Sequence, residues 1–288
     1  MKIVYFLIIF LIMFIVYSLK KPKSITESFF EKGVHFKILV PFYNPGSKLL
    51  DRCLKSIENQ TYKNFQVCLI DDASTDDTVE LHKIIDNYCS RNKNFTKIIK
   101  KKNKGTLHSN VMAMQKIKPK DMDVIVIVDG DDQLYDNNVF EYLANTYKSK
   151  DVYVTFGNYV QRIGNKVKTK KGVGCKNKKY WDDIAKRNVF REHAYYFTHL
   201  KTFRYILFKN IKKEHLMKNG EYLRSSTDQA IMYPIMELSG GKFKCIEKPL
   251  YIYTRDHVNS HHNDKEKSRK QKANEKYVRS LPKYKPVV

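Results

Sequence analysis

The sequence Asp129-Gly130-Asp131-Asp132 places three carboxylates in four positions, directly after the apolar run Val124-Ile125-Val126-Ile127-Val128. An unbroken β-branched run predicts a strand buried on both faces. Such a strand ends at a sheet edge, where open α/β folds bind their ligands. Carboxylates crowded there repel one another unless a cation or a strong set of donors compensates. Gly130 predicts a tight turn and room for a ligand to approach. Hard divalent ions such as Mg2+ and Mn2+ favour carboxylate oxygens and take phosphates as further ligands. The motif therefore points to a metal–diphosphate site. Its structural alternative is an acidic surface turn ahead of a helix capped at Asp136 or Asn137.

The elements that must position this turn can be read from the residues before it. Phe36 to Val40 predicts a strand that stops at Pro41, where a ladder donor is missing. Leu49, Leu50, Cys53, Leu54 and Ile57 then follow with helical spacing. Phe65 to Ile70 predicts a second strand, closed by Asp71-Asp72, and Thr75 to Asp77 can cap the helix that follows. Lys97 to Lys100 predicts a short third strand, residues 106 to 117 a helix, 123 to 128 a fourth strand and 138 to 147 another helix. Alternating strands and helices predict a mostly parallel sheet with helices on both faces and right-handed crossovers. Beyond residue 150, Val152 to Val160 and Val167 to Thr169 read as a hairpin around Gly164-Asn165. Residues 182 to 238 read as mainly helical, Leu250 to Tyr253 as a strand, Asp264 to Lys276 as a charged helix, and the last dozen residues as loose.

Three strand ends thus carry special residues in order: Pro41-Phe42-Tyr43-Asn44, Asp71-Asp72-Ala73-Ser74-Thr75-Asp76-Asp77-Thr78, and Asp129-Gly130-Asp131-Asp132. In a parallel sheet they converge on one edge. This trio resembles the family 2 glycosyltransferases of the GT-A fold, which use nucleotide-diphosphate sugars. The likeness is good over residues 36 to about 150 and weaker to about 260. It implies an α/β, Rossmann-like sheet with a mixed acceptor-side half. It also implies that Pro41 and Tyr43 line the nucleobase pocket, that Asp72 beside Asp71 accepts the imide hydrogen of a uracil-like base, and that Asp129 lies near the ribose. Asp131 would be the principal ligand of a divalent metal, Mn2+ or Mg2+. Asn103-Lys104-Gly105 keeps the family's Asn-x-Gly pattern near the nucleotide, so Lys104 and Gly105 are candidates, although Leu107 and His108 replace the small residues usual there. The physics agrees: expulsion of a diphosphate builds negative charge on the leaving oxygen, which a divalent ion offsets.

The second half should serve the acceptor. Asp228 precedes an apolar helix, and the resemblance makes it the candidate general base, inverting the anomeric carbon in one displacement. As a helix cap it would do no chemistry. In the segment 249–260, the resemblance implies that His257 reaches the metal or diphosphate, with His261 and His262 as alternatives, and Arg255 can pair with phosphate oxygens. Trp181, beside Asp182 and Asp183, is a weak acceptor candidate and more naturally a packing residue. The aromatic and basic stretch Phe197 to Arg204 reads first as packing near the acceptor cleft. The Gln-x-x-Arg-Trp signature of processive synthases is absent, favouring one transfer per encounter.

Composition sets the surroundings. Residues 3–19 carry no charge and predict an uncleaved signal-anchor, a single-pass membrane location, and, from the lysines on either side, a cytosolic body. The expected layout is anchor 1–22, stalk 23–34, nucleotide-sugar half 35–150, acceptor half 151–263 and basic tail 264–288. Five cysteines without paired spacing read as buried thiols in a reducing compartment. The net charge of +24 allows nucleic acid as a partner in principle, but no nucleic-acid motif accompanies it and none is expected. The expected partners are a nucleotide-diphosphate sugar, by default a UDP-sugar, and a glycan, lipid or protein acceptor. The competing readings are a basic nucleic-acid-binding protein and an inactive GT-A binding module.

Overall fold

The computed structural model describes residues 33–168, 175–255 and 265–288. Residues 34–288 belong to one compact unit. Its centre is a parallel array: β1 (Phe36–Phe42), β2 (Phe65–Asp71), β3 (Phe95–Ile99) and β4 (Val124–Ile127). β1 lies between β2 and β4 and is parallel to both. Crossover helices α1 (Ser47–Glu58), α2 (Thr78–Arg91) and α3 (Thr106–Ile117) connect them. The sheet continues through β5 (Gln133–Leu134), β6 (Val154–Ile163), β7 (Lys166–Lys168), β8 (Thr202–Arg204) and β11 (Phe243–Thr254), in the order β3-β2-β1-β4-β8-β6-β11-β5 with β7 paired to β6. A separate hairpin joins β9 (Met217–Lys218) and β10 (Glu221–Tyr222). The remaining helices are α4 (Val139–Tyr147), α5 (Lys178–Arg187), α6 (Tyr205–Lys209), α7 (Thr227–Leu238) and α8 (Lys265–Ser280).

Both faces of the sheet are covered, as unbroken apolar strands require. Phe36, Ile38 and Val40 of β1 pack with Leu54 of α1, Ile85 of α2 and Phe140 of α4. Leu39, one residue out of phase, packs with Met114 of α3 and Ile235 of α7 on the other face. The α/β GT-A expectation is borne out. Pro41 does not end β1, which runs on through Phe42. The Pro41 carbonyl faces the β4 side, where it accepts the Gly130 N–H at 3.2 Å. Its missing donor therefore falls where the β1–β4 ladder has already stopped.

Several other expectations are corrected. Residues 182–238 are helical over little more than half their length: β8, β9 and β10 interrupt them, and their long helix is α7. The end of the chain is fastened, with the Tyr284 hydroxyl 2.6 Å from His215 Nδ1 and the Val287 N–H donating to Leu238 O. Cys175 and Cys245 form a disulfide, leaving Cys53, Cys68 and Cys89 free. Seventy residues separate the two half-cystines, so local spacing hides the pairing, and the lean to a reducing compartment loses its support. The expected single-pass membrane location is also corrected: among the described residues, no helix is long and apolar enough to cross a membrane. The longest, α8, has 16 residues and is densely charged. The run 3–19 itself lies outside the described residues.

Candidate active site

The parallel register brings two of the acidic strand ends to opposite sides of the third. The Asp72 N–H donates to Phe42 O at 2.8 Å, and the Gly130 N–H donates to the neighbouring carbonyl of Pro41. Asp72 and the acidic turn therefore flank the same end of β1. Tyr43, the next residue, is 45% exposed. Gly130 is required by this junction more than by a ligand: a Cβ at 130 would stand 2.6 Å from Phe42 Cβ.

The first acidic pair is fully engaged with the protein. Asp71 accepts the Ser74 N–H at 2.8 Å and meets His82 Nε2 at 3.0 Å. Asp72 accepts the backbone N–H groups of Lys104 (3.0 Å) and Gly105 (2.7 Å) and pairs with the buried ammonium of Lys100. Gly105 is at φ 86°, a left-handed conformation that a Cβ would strain. Lys104 and Gly105 thus reach Asp72 through their backbone, just ahead of the positive N-terminal end of α3. Leu107 and His108 are absorbed by packing, Leu107 in the core and His108 edge-on to Tyr222.

The second acidic group is crowded. Asp129 donates its N–H to the Tyr251 hydroxyl at 3.1 Å. Burial pushes its carboxyl up, Lys201 opposes this, and Asp131 and Asp228 add to it, leaving it at about 7. Asp132 is buried beneath the turn and accepts the Thr254 N–H at 2.6 Å through Oδ1. Burial, then Asp131 and Asp129, push the Asp132 carboxyl up as well. Asp131 and Asp228 both act on Asp129, although Asp228 lies about a hundred residues downstream in the second half.

Asp228 stands in the first turn of α7, half-exposed, with Oδ1 2.7 Å from the buried Nζ of Lys201. It does not cap its helix, since the N-cap is Ser226 and no side chain caps it. Desolvation pushes the Asp228 carboxyl up, but the ammonium of Lys201 and the imidazole of His199 outweigh it and hold it below the ordinary range. His199 stacks flat on Tyr251, with ring centroids 4.6 Å apart, and burial drives its imidazole down to about 3. Reading from the sequence missed Lys201 and His199 as individual residues. Their signal was the polar alternation in an otherwise aromatic stretch.

The remaining candidates are Trp181, Arg255 and three histidines. Trp181 is buried among Phe156, Phe197 and Phe243, so it packs the core. Arg255 follows directly on β11, its N–H donating to Arg162 O at 3.0 Å and its side chain exposed. His257, His261 and His262 lie outside the described residues.

A metal ion was expected at Asp131. Among the described residues, no three His, Cys, Asp or Glu side chains close on one point that could hold an ion. The donor set still fits a hard cation of another kind. Such an ion is commonly held by one or two carboxylates, with substrate phosphates and water filling its other positions. Asp131 offers one such carboxylate, and the crowding it adds at Asp129 is a condition a divalent charge relieves.

Comparison with known proteins is consistent with this arrangement. The model of the family described as "Glycosyl transferase family 2" matches residues 37–212. A curated relative, glycosyltransferase GlyG of Streptococcus pneumoniae serotype 4, is 34% identical over 123 residues, which are 42% of this chain and 38% of that protein. The chain therefore spans well under half of that relative's length. Among solved structures, S. aureus TarS 1-349 in complex with UDP-GlcNAc superposes with a TM-score of 0.58 at 20% identity, covering 80% of this chain and 61% of the other. The mannosyltransferase PcManGT from Pyrobaculum calidifontis, solved with GDP-Man and Mn2+, gives 0.50 at 18% identity, covering 92% and 70%. At these identities the structures speak to the fold.

Proposed function

Because this chain belongs to glycosyl transferase family 2, we propose that it moves a sugar from a nucleotide-diphosphate donor to an acceptor hydroxyl, with inversion at the anomeric carbon. The observation that carries this reading is that Asp131 and Asp228, far apart in sequence, both act on Asp129 just past the end of β4. Residues 35–150 would bind the donor and residues 151–263 the acceptor. Tyr43 and Pro41 would border the base, Asp129 the ribose, and Asp131 the metal. Arg255 would reach the diphosphate. A bound Mn2+ or Mg2+ would supply charge neutralisation for the diphosphate.

In the step itself, the acceptor O–H gives its proton to Asp228 as its oxygen attacks the anomeric carbon. The bond from that carbon to the diphosphate oxygen breaks, and its electron pair leaves with the diphosphate. Asp228 is suited to this by being ionised and accessible together. A UDP-sugar is the first donor to test, supported by a structural neighbour solved with UDP-GlcNAc. A guanine donor is the second, since another neighbour carries GDP-Man.

The test is hydrolysis or transfer by the purified chain with a panel of UDP- and GDP-sugars, with Mn2+, with Mg2+ and with chelator. Release of nucleoside diphosphate that needs the metal and disappears in Asp131→Asn is the expected result. Release that survives Asp131→Asn would overturn the metal assignment, and no release from any donor would overturn the reading as a transferase.

A further inference from the structure

Lys201 is a buried cation inside an acidic cluster, and its position follows from strand register. β8 runs antiparallel to β4, with Thr202 opposite Val126. Stepping back one residue on β8 therefore moves the same way as stepping forward on β4, towards Asp129. Lys201 is carried in this way to the edge where the acidic turn begins, and its ammonium acts on Asp129 as well as on Asp228.

The residues on either side of Lys201 are locked. Thr202 Oγ1 lies 2.7 Å from the Tyr147 hydroxyl and 2.6 Å from Thr155 Oγ1, all three buried. Arg204 donates to Met122 O at 2.6 Å and to Tyr147 O at 2.8 Å. On the other side His199 is stacked on Tyr251, whose hydroxyl holds the Asp129 N–H. Lys201 itself is 3% exposed, so solvent does not compete for its ammonium. A long side chain normally loses much rotamer freedom when it forms one contact. Here that loss is already met by folding, and the 2.7 Å contact to Asp228 Oδ1 is preorganised.

We propose that Lys201 is a positioning residue for the transfer step, holding Oδ1 of Asp228 so that Oδ2 faces the acceptor hydroxyl. The proposal rests on the transferase reading above. It explains why a half-exposed carboxylate at the start of a helix, without a capping role, should have one orientation. It also joins the two halves of the site physically, because the strand that delivers Lys201 is hydrogen-bonded to the strand that delivers Asp129.

The experiment is a double-mutant cycle on Lys201→Met and Asp228→Asn, read as kcat and donor KM with whichever sugar nucleotide the unaltered chain turns over. Lys201→Met should lower kcat by about 10- to 100-fold, the range of a misoriented catalytic group, and leave donor KM within about threefold. In the Asp228→Asn background the same change should cost less than about twofold, because residues acting as a unit are not additive. Lys201→Arg should recover part of the loss, since the charge and a donor are kept. An equal loss from Lys201→Met in both backgrounds, or a loss confined to KM, would overturn the proposal. If Lys201→Met does not fold, the cycle runs with Lys201→Arg, whose displaced charge should lower kcat only where Asp228 is present; equal loss in both backgrounds is again fatal. Absence of turnover in the unaltered chain would instead overturn the transferase reading, so the two failures are distinct.

Discussion

Asp71 and Asp72 on one side of β1, and Asp129 and Asp131 on the other, are chemically alike and placed at the same sheet edge, yet their surroundings differ. The first pair is satisfied from within: two backbone N–H groups and a buried lysine for Asp72, a turn N–H and a histidine for Asp71. In the second pair, burial pushes the Asp129 carboxyl up, Lys201 opposes this, and Asp131 and Asp228 add to it. A carboxylate with its lone pairs engaged builds structure. One under electrostatic pressure from other carboxylates is stabilised by any added positive charge. The contrast separates the residues that hold the site together from those that would work in it.

Substitutions can break or sharpen this contrast. Asp131→Asn should have the largest effect, lowering turnover by about 1,000-fold or more through loss of charge stabilisation of the leaving group, with the melting temperature unchanged or raised. Steady-state kinetics and a thermal melt on one preparation check both halves of the statement. Asp228→Asn should follow, with kcat down about 100- to 1,000-fold and donor KM little altered, as expected for a lost proton acceptor. Comparable losses in both constants would remove the base assignment.

Asp72→Ala should behave in the opposite manner. It strands the Lys100 ammonium and the N–H groups of Lys104 and Gly105, a break in a buried charged network that costs about 3–5 kcal/mol. Denaturant unfolding should show that loss, and activity should fall with the folded fraction. A stable, inactive Asp72→Ala would move Asp72 to the working side of the comparison.

The smallest effect concerns pH. Asp129 has its carboxyl raised to about 7 from an ordinary 3.8, so the fold disfavours its ionisation. Its contribution to stability is fully present below 3.8 and is lost as pH rises from there through about 7. His199 has the reverse sign: held down at about 3 from an ordinary 6.5, it contributes stability above 6.5 that is lost as pH falls towards 3. Mn2+ or Mg2+ should therefore raise the melting temperature by a few degrees near pH 8, by much less near pH 5, and chelator should cancel the gain. A metal shift independent of pH would indicate that the ion binds elsewhere.

The central sheet was legible because its strands are long apolar runs that end in acids. Val124–Ile127 and Phe65–Asp71 carry their own boundaries in their composition. Helix α3 emerged at the residues expected from its spacing. β8 was not legible: at three residues, Thr202–Arg204 is too short to show any period, and its place beside β4 is decided by packing. Lys201 was hidden for the same reason, since its meaning comes from a neighbour in space. Asp71 and Asp72 show the opposite difficulty. Their motif marked the right edge of the sheet, but the sequence does not show that Lys100, Lys104 and Gly105 already engage Asp72.

The contact between Gly130 and Phe42 has an evolutionary consequence. The obstacle is Phe42 Cβ, an atom shared by every residue but glycine, and it cannot rotate aside. Trimming the ring therefore makes no room. Of positions 42 and 130, only one at a time can carry a side chain while the two backbones keep their present separation. Position 130 is therefore closed to any single substitution for as long as position 42 carries a side chain.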